Sequence, residues 1–258
     1  MSTSTKLFSF SHGTENASRP PLIFIHGAGG THLHWPPQVR RLTGQRIFAL
    51  DLPGHGKSGG VGCQSIADYA RIVVDFLDAN HTNTAIFIGH SMGSAIALTL
   101  ALDFPKRVLG LGLVGGGARL RVAPQILEDT AGESTFPAAV KLINEWAFSA
   151  SSNPRLKELA AQRMAEIRPS VIHGDFLACN EFDVMGRLGE IAVPTLILCG
   201  ADDRLTPVKY SEHLRDRIRN ARLVTFPDAG HMVMLEQPEA VAGALAEFAD
   251  SIPYRPGQ

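Results

Sequence analysis

The 258-residue chain is 45% hydrophobic and 19% charged, a core-forming composition rather than a disordered one. Its 24 Lys and Arg against 25 Asp and Glu give a net charge of −1, so no basic surplus exists to neutralise a phosphate backbone, which argues against nucleic acid as a partner. No apolar run approaches the ~20 residues of a membrane span, residues 1–16 lack an apolar signal core, and three cysteines without a C-x-x-C argue against a disulfide scaffold or a zinc site. A cytoplasmic protein with no membrane partner, no metal and no cofactor is the expectation.

Along the chain, short apolar runs alternate with helical periodicity. Residues 6–10 read as an antiparallel edge strand. Strand-length apolar runs follow at 22–25, ending in His26-Gly27, and at 46–50, ending in Asp51. Residues 65–80 carry Ile66, Tyr69, Ala70, Val73, Phe76 and Leu77 at helical spacing. A strand at 85–88 leads into a helix at 91–104 that stops at Pro105, and a strand at 108–114 runs into Gly115-Gly116-Gly117. From 118 to 189 the periodicity is helical throughout, at 126–130, 138–148, 156–167 and 170–182, with no strand. Strands return at 194–199 and 223–226, with helices at 207–218 and 238–248, and 253–258 reads as a tail.

Near-continuous apolar strands imply burial on both faces, which predicts an α/β fold with a mostly parallel sheet flanked by helices. Residues 1–117 and 190–258 are expected to build that core, and 118–189 a helical cap inserted between strands. In such sheets ligands sit beyond the carboxyl ends of the strands. His26-Gly27, Gly89-His90-Ser91, Asp202-Asp203 and His231 all fall there.

Gly89-His90-Ser91-Met92-Gly93 matches G-x-S-x-G between a strand and a helix. A serine on so tight a turn projects its hydroxyl clear of the sheet, and its flanking positions must be tiny. A second match, Gly56-Lys57-Ser58-Gly59-Gly60, opens no helix and is discarded. Gly54-x-Gly56-x-x-Gly59 likewise opens no helix, so a dinucleotide site is not expected. A serine hydroxyl needs a base, and the base an orienting acid. His231 and either Asp203 or Asp202 follow in the order Ser, Asp, His.

With these motifs the chain resembles the α/β-hydrolase fold family over essentially its whole length. His26-Gly27-Ala28-Gly29 resembles the family's oxyanion loop, Asp51-Leu52-Pro53-Gly54-His55-Gly56-Lys57-Ser58 its D-x-P-G-x-G-x-S segment, and Gly200-Ala201-Asp202-Asp203 its acid loop. Gly230-His231 resembles its histidine loop. The resemblance implies a catalytic triad of Ser91, Asp203 and His231, with the backbone N–H groups of Ala28 and Met92 as oxyanion donors. A serine at the elbow argues against relatives of the haloalkane dehalogenase and epoxide hydrolase kind, which use aspartate. His26 and Asp51 are expected to be structural, and His90 a neighbour of the nucleophile rather than a base.

Trp146, Phe136 and Met232 are the expected pocket residues, and no cluster of Arg or Lys is visible that would clamp a dicarboxylate. The expected substrate is therefore a small-to-medium, largely apolar carboxylic ester. The resemblance equally admits carbon–carbon bond hydrolases of ring-cleavage products, enol-lactonases, and a receptor-like protein with little turnover.

Overall fold

The computed structural model describes residues 6–13 and 19–254. Seven strands form one sheet: β1 (Ser9–His12), β2 (Leu22–Ile25), β3 (Ile47–Leu50), β4 (Ala85–His90), β5 (Val108–Val114), β6 (Thr195–Gly200) and β7 (Ala221–Phe226). Their spatial order is β1-β3-β2-β4-β5-β6-β7. All neighbours run parallel except β1, which pairs antiparallel with β3 at the edge. The edge strand lies at 9–12 and not at the expected 6–10, because Ser9 to His12 are the residues in register with Leu50 to Ile47. Most of the expected tail (255–258), and 1–5 and 14–18 of the N-terminal stretch, lie outside the described residues.

Strand alternation sends Leu22 and Phe24 to one face of the sheet and Ile23 and Ile25 to the other. Both faces are covered, as the apolar strands require. Helices α1 (Pro37–Arg40), α2 (Ile66–Ala79), α3 (Met92–Asp103), α8 (Val208–Arg217), α9 (Val233–Glu236) and α10 (Pro238–Ser251) supply the cover. The residues of α3 from Met92 to Leu102 are all buried, which explains why its sequence shows no amphipathic face.

Between β5 and β6 the chain inserts four helices, α4 (Pro124–Ala131), α5 (Phe136–Ala147), α6 (Pro154–Ala165) and α7 (Pro169–Glu181). Each carries proline in its first turn, where the missing N–H leaves no bond unmade. The helices pack small clusters of their own, one of them Phe136, Val140, Ile167, Val171 and Ile172. Among the described residues no helix is long and apolar enough to cross a membrane, and no cluster of side chains could hold a metal ion.

Candidate active site

Ser91 sits between β4 and α3 at φ 54° and ψ −114°, a left-handed conformation that a side-chain-bearing residue rarely adopts. Its backbone N–H donates to the Val114 carbonyl at 2.9 Å, so the neighbouring strand holds the turn. A Cβ on Gly89 would lie 2.0 Å from the Gly93 oxygen, and one on Gly93 would lie 2.2 Å from the Ile25 oxygen. These obstacles are backbone and cannot rotate away. Gly89→Ala is therefore expected to destabilise the protein by about 3 kcal/mol or more. A thermal melt equal to that of the parent protein would contradict the close approach.

His231 lies in the loop between β7 and α9, and its Nδ1 is 2.9 Å from Asp203 Oδ2. Both are buried. Asp202 instead faces outward and accepts a hydrogen bond from the Ser149 hydroxyl at 2.6 Å, so Asp203 is the acid facing the imidazole. Asp203 Oδ1 accepts the N–H groups of Leu205 (2.9 Å) and Thr206 (2.8 Å). Burial opposes the charge on Asp203, but His231 and these donors outweigh it and hold the carboxyl below its ordinary range. Ionised at neutral pH, Asp203 accepts from Nδ1 and leaves Nε2 as the basic nitrogen.

Thr206 was not singled out from the sequence. Its hydroxyl lies 2.8 Å from Asp203 Oδ2, 2.9 Å from the Gly115 oxygen and 3.1 Å from His231 Nδ1. Thr206→Val keeps the shape and removes the hydroxyl. We expect kcat/KM to fall about tenfold, or ~1.4 kcal/mol, with an unchanged fold. Steady-state kinetics beside circular dichroism checks this.

The rings of His90 and His231 lie with centroids 4.7 Å apart, tilted by 54° to one another. His90 Nε2 donates to the His231 carbonyl at 3.1 Å, and burial, then the proximity of His231, holds its pKa well below the ordinary histidine value. It is a neutral support for the histidine loop. His26 is equally neutral, its pKa lowered first by burial and then by His55. Its Nδ1 donates to the Gly27 oxygen at 2.8 Å and its Nε2 accepts the Leu52 N–H at 3.0 Å, tying the turn after β2 to the loop after β3. Asp51 anchors that loop, accepting from the His32 N–H (2.7 Å) and the Lys57 N–H (2.9 Å).

Ala28 lies in the turn after β2, and among the described residues its N–H donates to no protein acceptor. Met92 opens α3, so its N–H is among the four without an intrahelical acceptor, at the positive end of the helix. The turn approaches the elbow closely: a Cβ on Gly27 would lie 3.1 Å from Ser91 Cβ. The next residue, Gly29, donates its N–H to Asp175 Oδ2 at 2.8 Å.

Asp175, on α7, carries no motif and is fully buried. Besides Gly29 it accepts from the Tyr69 hydroxyl (2.6 Å) and faces His55 Nε2 (2.8 Å). One carboxylate thus joins the helical insertion to the turn bearing Ala28, to α2 and to the loop after β3. Asparagine, glutamate and serine also occur in this insertion, so only the packing of α7 identifies it.

Ser91 lies where two cavities meet. The smaller, about 50 Å³, is lined by His231, Met232, Ile143, Ala147, Phe148 and Met164 among others. The larger, about 370 Å³, is lined by Leu120, Val122, Ile126, Trp146 and Phe176 on its apolar side. Ala28 lines both. Trp146 and Met232 are thus brought to the cavities, but Phe136 is not. It packs inside the insertion against Val140 and Ile167, because its place at the start of α5 turns it to that cluster. Contrary to the reading that no cations gather at the pocket, Arg121, Arg204 and Lys209 line the larger cavity. Arg121 follows β5, whereas Arg204 and Lys209 follow β6, so no local run of charge announces them.

The sequence profile of the alpha/beta hydrolase fold matches residues 20–238. A solved thermophilic esterase is 34% identical and superposes with a TM-score of 0.81, covering 95% of this chain and 98% of its own. The 2-hydroxy-6-oxononadienedioate/2-hydroxy-6-oxononatrienedioate hydrolase of Burkholderia vietnamiensis is 30% identical over 92% of this chain and 88% of its own length. The pimeloyl-[acyl-carrier protein] methyl ester esterase of Pectobacterium carotovorum subsp. carotovorum is 29% identical over 92% and 97%.

Proposed function

This chain belongs to the alpha/beta hydrolase fold family, and from that premise we propose that it is a serine hydrolase that cleaves a small-to-medium carboxylic ester through an acyl-enzyme. The observation that carries the reading is Ser91, held at φ 54° on a strand-to-helix turn and lining one cavity with His231, whose Nδ1 is engaged by Asp203. The thermophilic esterase and the methyl ester esterase support ester cleavage.

In this mechanism Ser91 Oγ attacks the ester carbonyl while His231 Nε2 takes the hydroxyl proton. Asp203 stabilises the resulting imidazolium. The N–H groups of Ala28 and Met92 receive the developing oxyanion, each worth ~3 kcal/mol. Collapse of the tetrahedral intermediate breaks the C–O bond, and the departing alkoxide takes the proton from His231. Water, deprotonated by His231, then attacks the acyl carbon, and Ser91 leaves with the proton restored. The helical insertion roofs the cavities in this reading and acts as the cap, with residues 118–189 as its extent.

Hydrolysis of p-nitrophenyl esters of increasing acyl length tests the proposal. We expect steady turnover that peaks at short chains. A folded protein that cleaves no ester but hydrolyses 2-hydroxy-6-oxononadienedioate, the compound named for its Burkholderia relative, would assign it instead to the hydrolases of ring-cleavage products. Tight binding of esters without repeated turnover would indicate a receptor.

A further inference from the structure

The larger cavity is asymmetric in charge. Among the described residues no carboxylate lines either cavity, yet Arg121, Arg204 and Lys209 all border the larger one. The chain as a whole carries a net charge of −1, so this local excess of cations is not a reflection of composition. Among the described residues none of the three forms an ion pair. Arg121 is held by donating to the Asn180 carbonyl at 3.0 Å, and Asp183, a carboxylate that feels its charge, is paired with Arg119. The Arg204 guanidinium lies 5.8 Å from the centre of the Trp146 ring, over an aromatic wall of the cavity. Lys209 Nζ is 6.0 Å from the Tyr210 ring centre. The acid beside Arg204, Asp202, is engaged by Ser149, and Asp203 is buried against His231.

We propose that the substrate carries a carboxylate at the far end of the group seated in this larger cavity, with Arg121, Arg204 and Lys209 as its recognition site. The inference deepens the ester-hydrolase reading and rests on it. The apolar lining from Leu120 to Trp146 takes the carbon chain, and the smaller cavity, about 50 Å³, takes a short alkoxy group. The substrate class is thus the half-ester of a dicarboxylic acid, or another ester or lactone with a distal carboxylate. Cations at a cavity mouth raise the local concentration of an anion and speed its capture. The effect is screened by salt over about 8 Å at physiological ionic strength. Arginine adds the paired donors that match a carboxylate.

Monomethyl glutarate and methyl pentanoate differ only in a terminal carboxylate against a methyl group, and a pH-stat follows the hydrolysis of both. In low salt we expect kcat/KM to favour monomethyl glutarate about tenfold or more, chiefly through KM, and the ratio to shrink as salt rises. In the triple variant Arg121→Gln, Arg204→Gln, Lys209→Gln the ratio should fall toward one. Equal or poorer cleavage of monomethyl glutarate by the parent protein, with methyl pentanoate turned over, overturns this inference and leaves the esterase reading standing. Should neither ester be cleaved, the p-nitrophenyl series decides the esterase reading, and calorimetric titration with glutarate still decides the cationic site. Salt-sensitive binding that the triple variant loses supports it, and no binding overturns it.

Discussion

Ser91→Ala is expected to leave a folded protein whose ester hydrolysis has fallen by roughly 10⁴- to 10⁶-fold. The fold should survive because alanine keeps the Cβ, the positive φ is imposed by Gly89, Gly93 and the Val114 carbonyl, and the Ser91 hydroxyl supports none of them. The residual rate would come from the oxyanion donors and from binding alone, since both cavities and the turn bearing Ala28 remain. Initial rates on a p-nitrophenyl ester, read beside a thermal melt, check both halves. Turnover within tenfold of the parent protein would remove Ser91 from the chemistry.

The second large effect is expected at Asp175, which is not among the residues lining either cavity. Asp175→Ala strips the acceptor from the Gly29 N–H, the Tyr69 hydroxyl and His55 at once, all inside a site without solvent access. Leaving such donors unpaired costs about 3–5 kcal/mol together, or roughly a 10 °C drop in Tm for a chain of this size. The turn that carries Ala28 loses its tether to α7, and a misplacement of about 1 Å there is enough to cost on the order of 10²-fold in kcat. Asp175→Asn separates charge from shape. Burial disfavours a charge on His55, but the charge of Asp175 and the hydrogen bond to it outweigh that and raise the histidine pKa. A pKa raised by folding adds stability that is full below the unfolded histidine value of about 6.5 and is lost as pH rises through the folded value. The parent protein should therefore lose this increment on alkalinisation, and Asp175→Asn should show a flatter profile. Chemical denaturation across that pH range reads the difference, and identical profiles would show that the pair is not ionised.

Much of the site was legible because its geometry is local. The G-x-S-x-G turn needs small residues at fixed offsets, and the backbone clash at Gly89 and Gly93 is the physical reason the pattern can be read at all. Strands β2 to β6 are legible for a similar reason: residues buried on both faces must be apolar in a near-unbroken run. The edge strand begins three residues later than its sequence suggests because β1 is only half buried, and its register is set by pairing with β3 rather than by its own pattern. The expectation that Phe136 lines the pocket failed because periodicity gives the apolar face of a helix and not what that face meets.

By itself, then, the chain determined the order of its strands and helices, the elbow at Ser91 and the identity of its histidine and acid loops, all of which are properties of short segments. Tertiary structure alone decided which aspartate faces His231, that Asp175 reaches 146 residues back to the turn at Gly29, and that Arg121, Arg204 and Lys209 share one cavity. Those are pairings between distant segments. The first is fixed by how the loops after β6 and β7 meet. The other two depend on how the insertion carrying α4–α7 packs against the ends of the strands, an interaction that leaves no periodic trace in the sequence because a single buried carboxylate or an exposed cation has no neighbours with which to form a pattern.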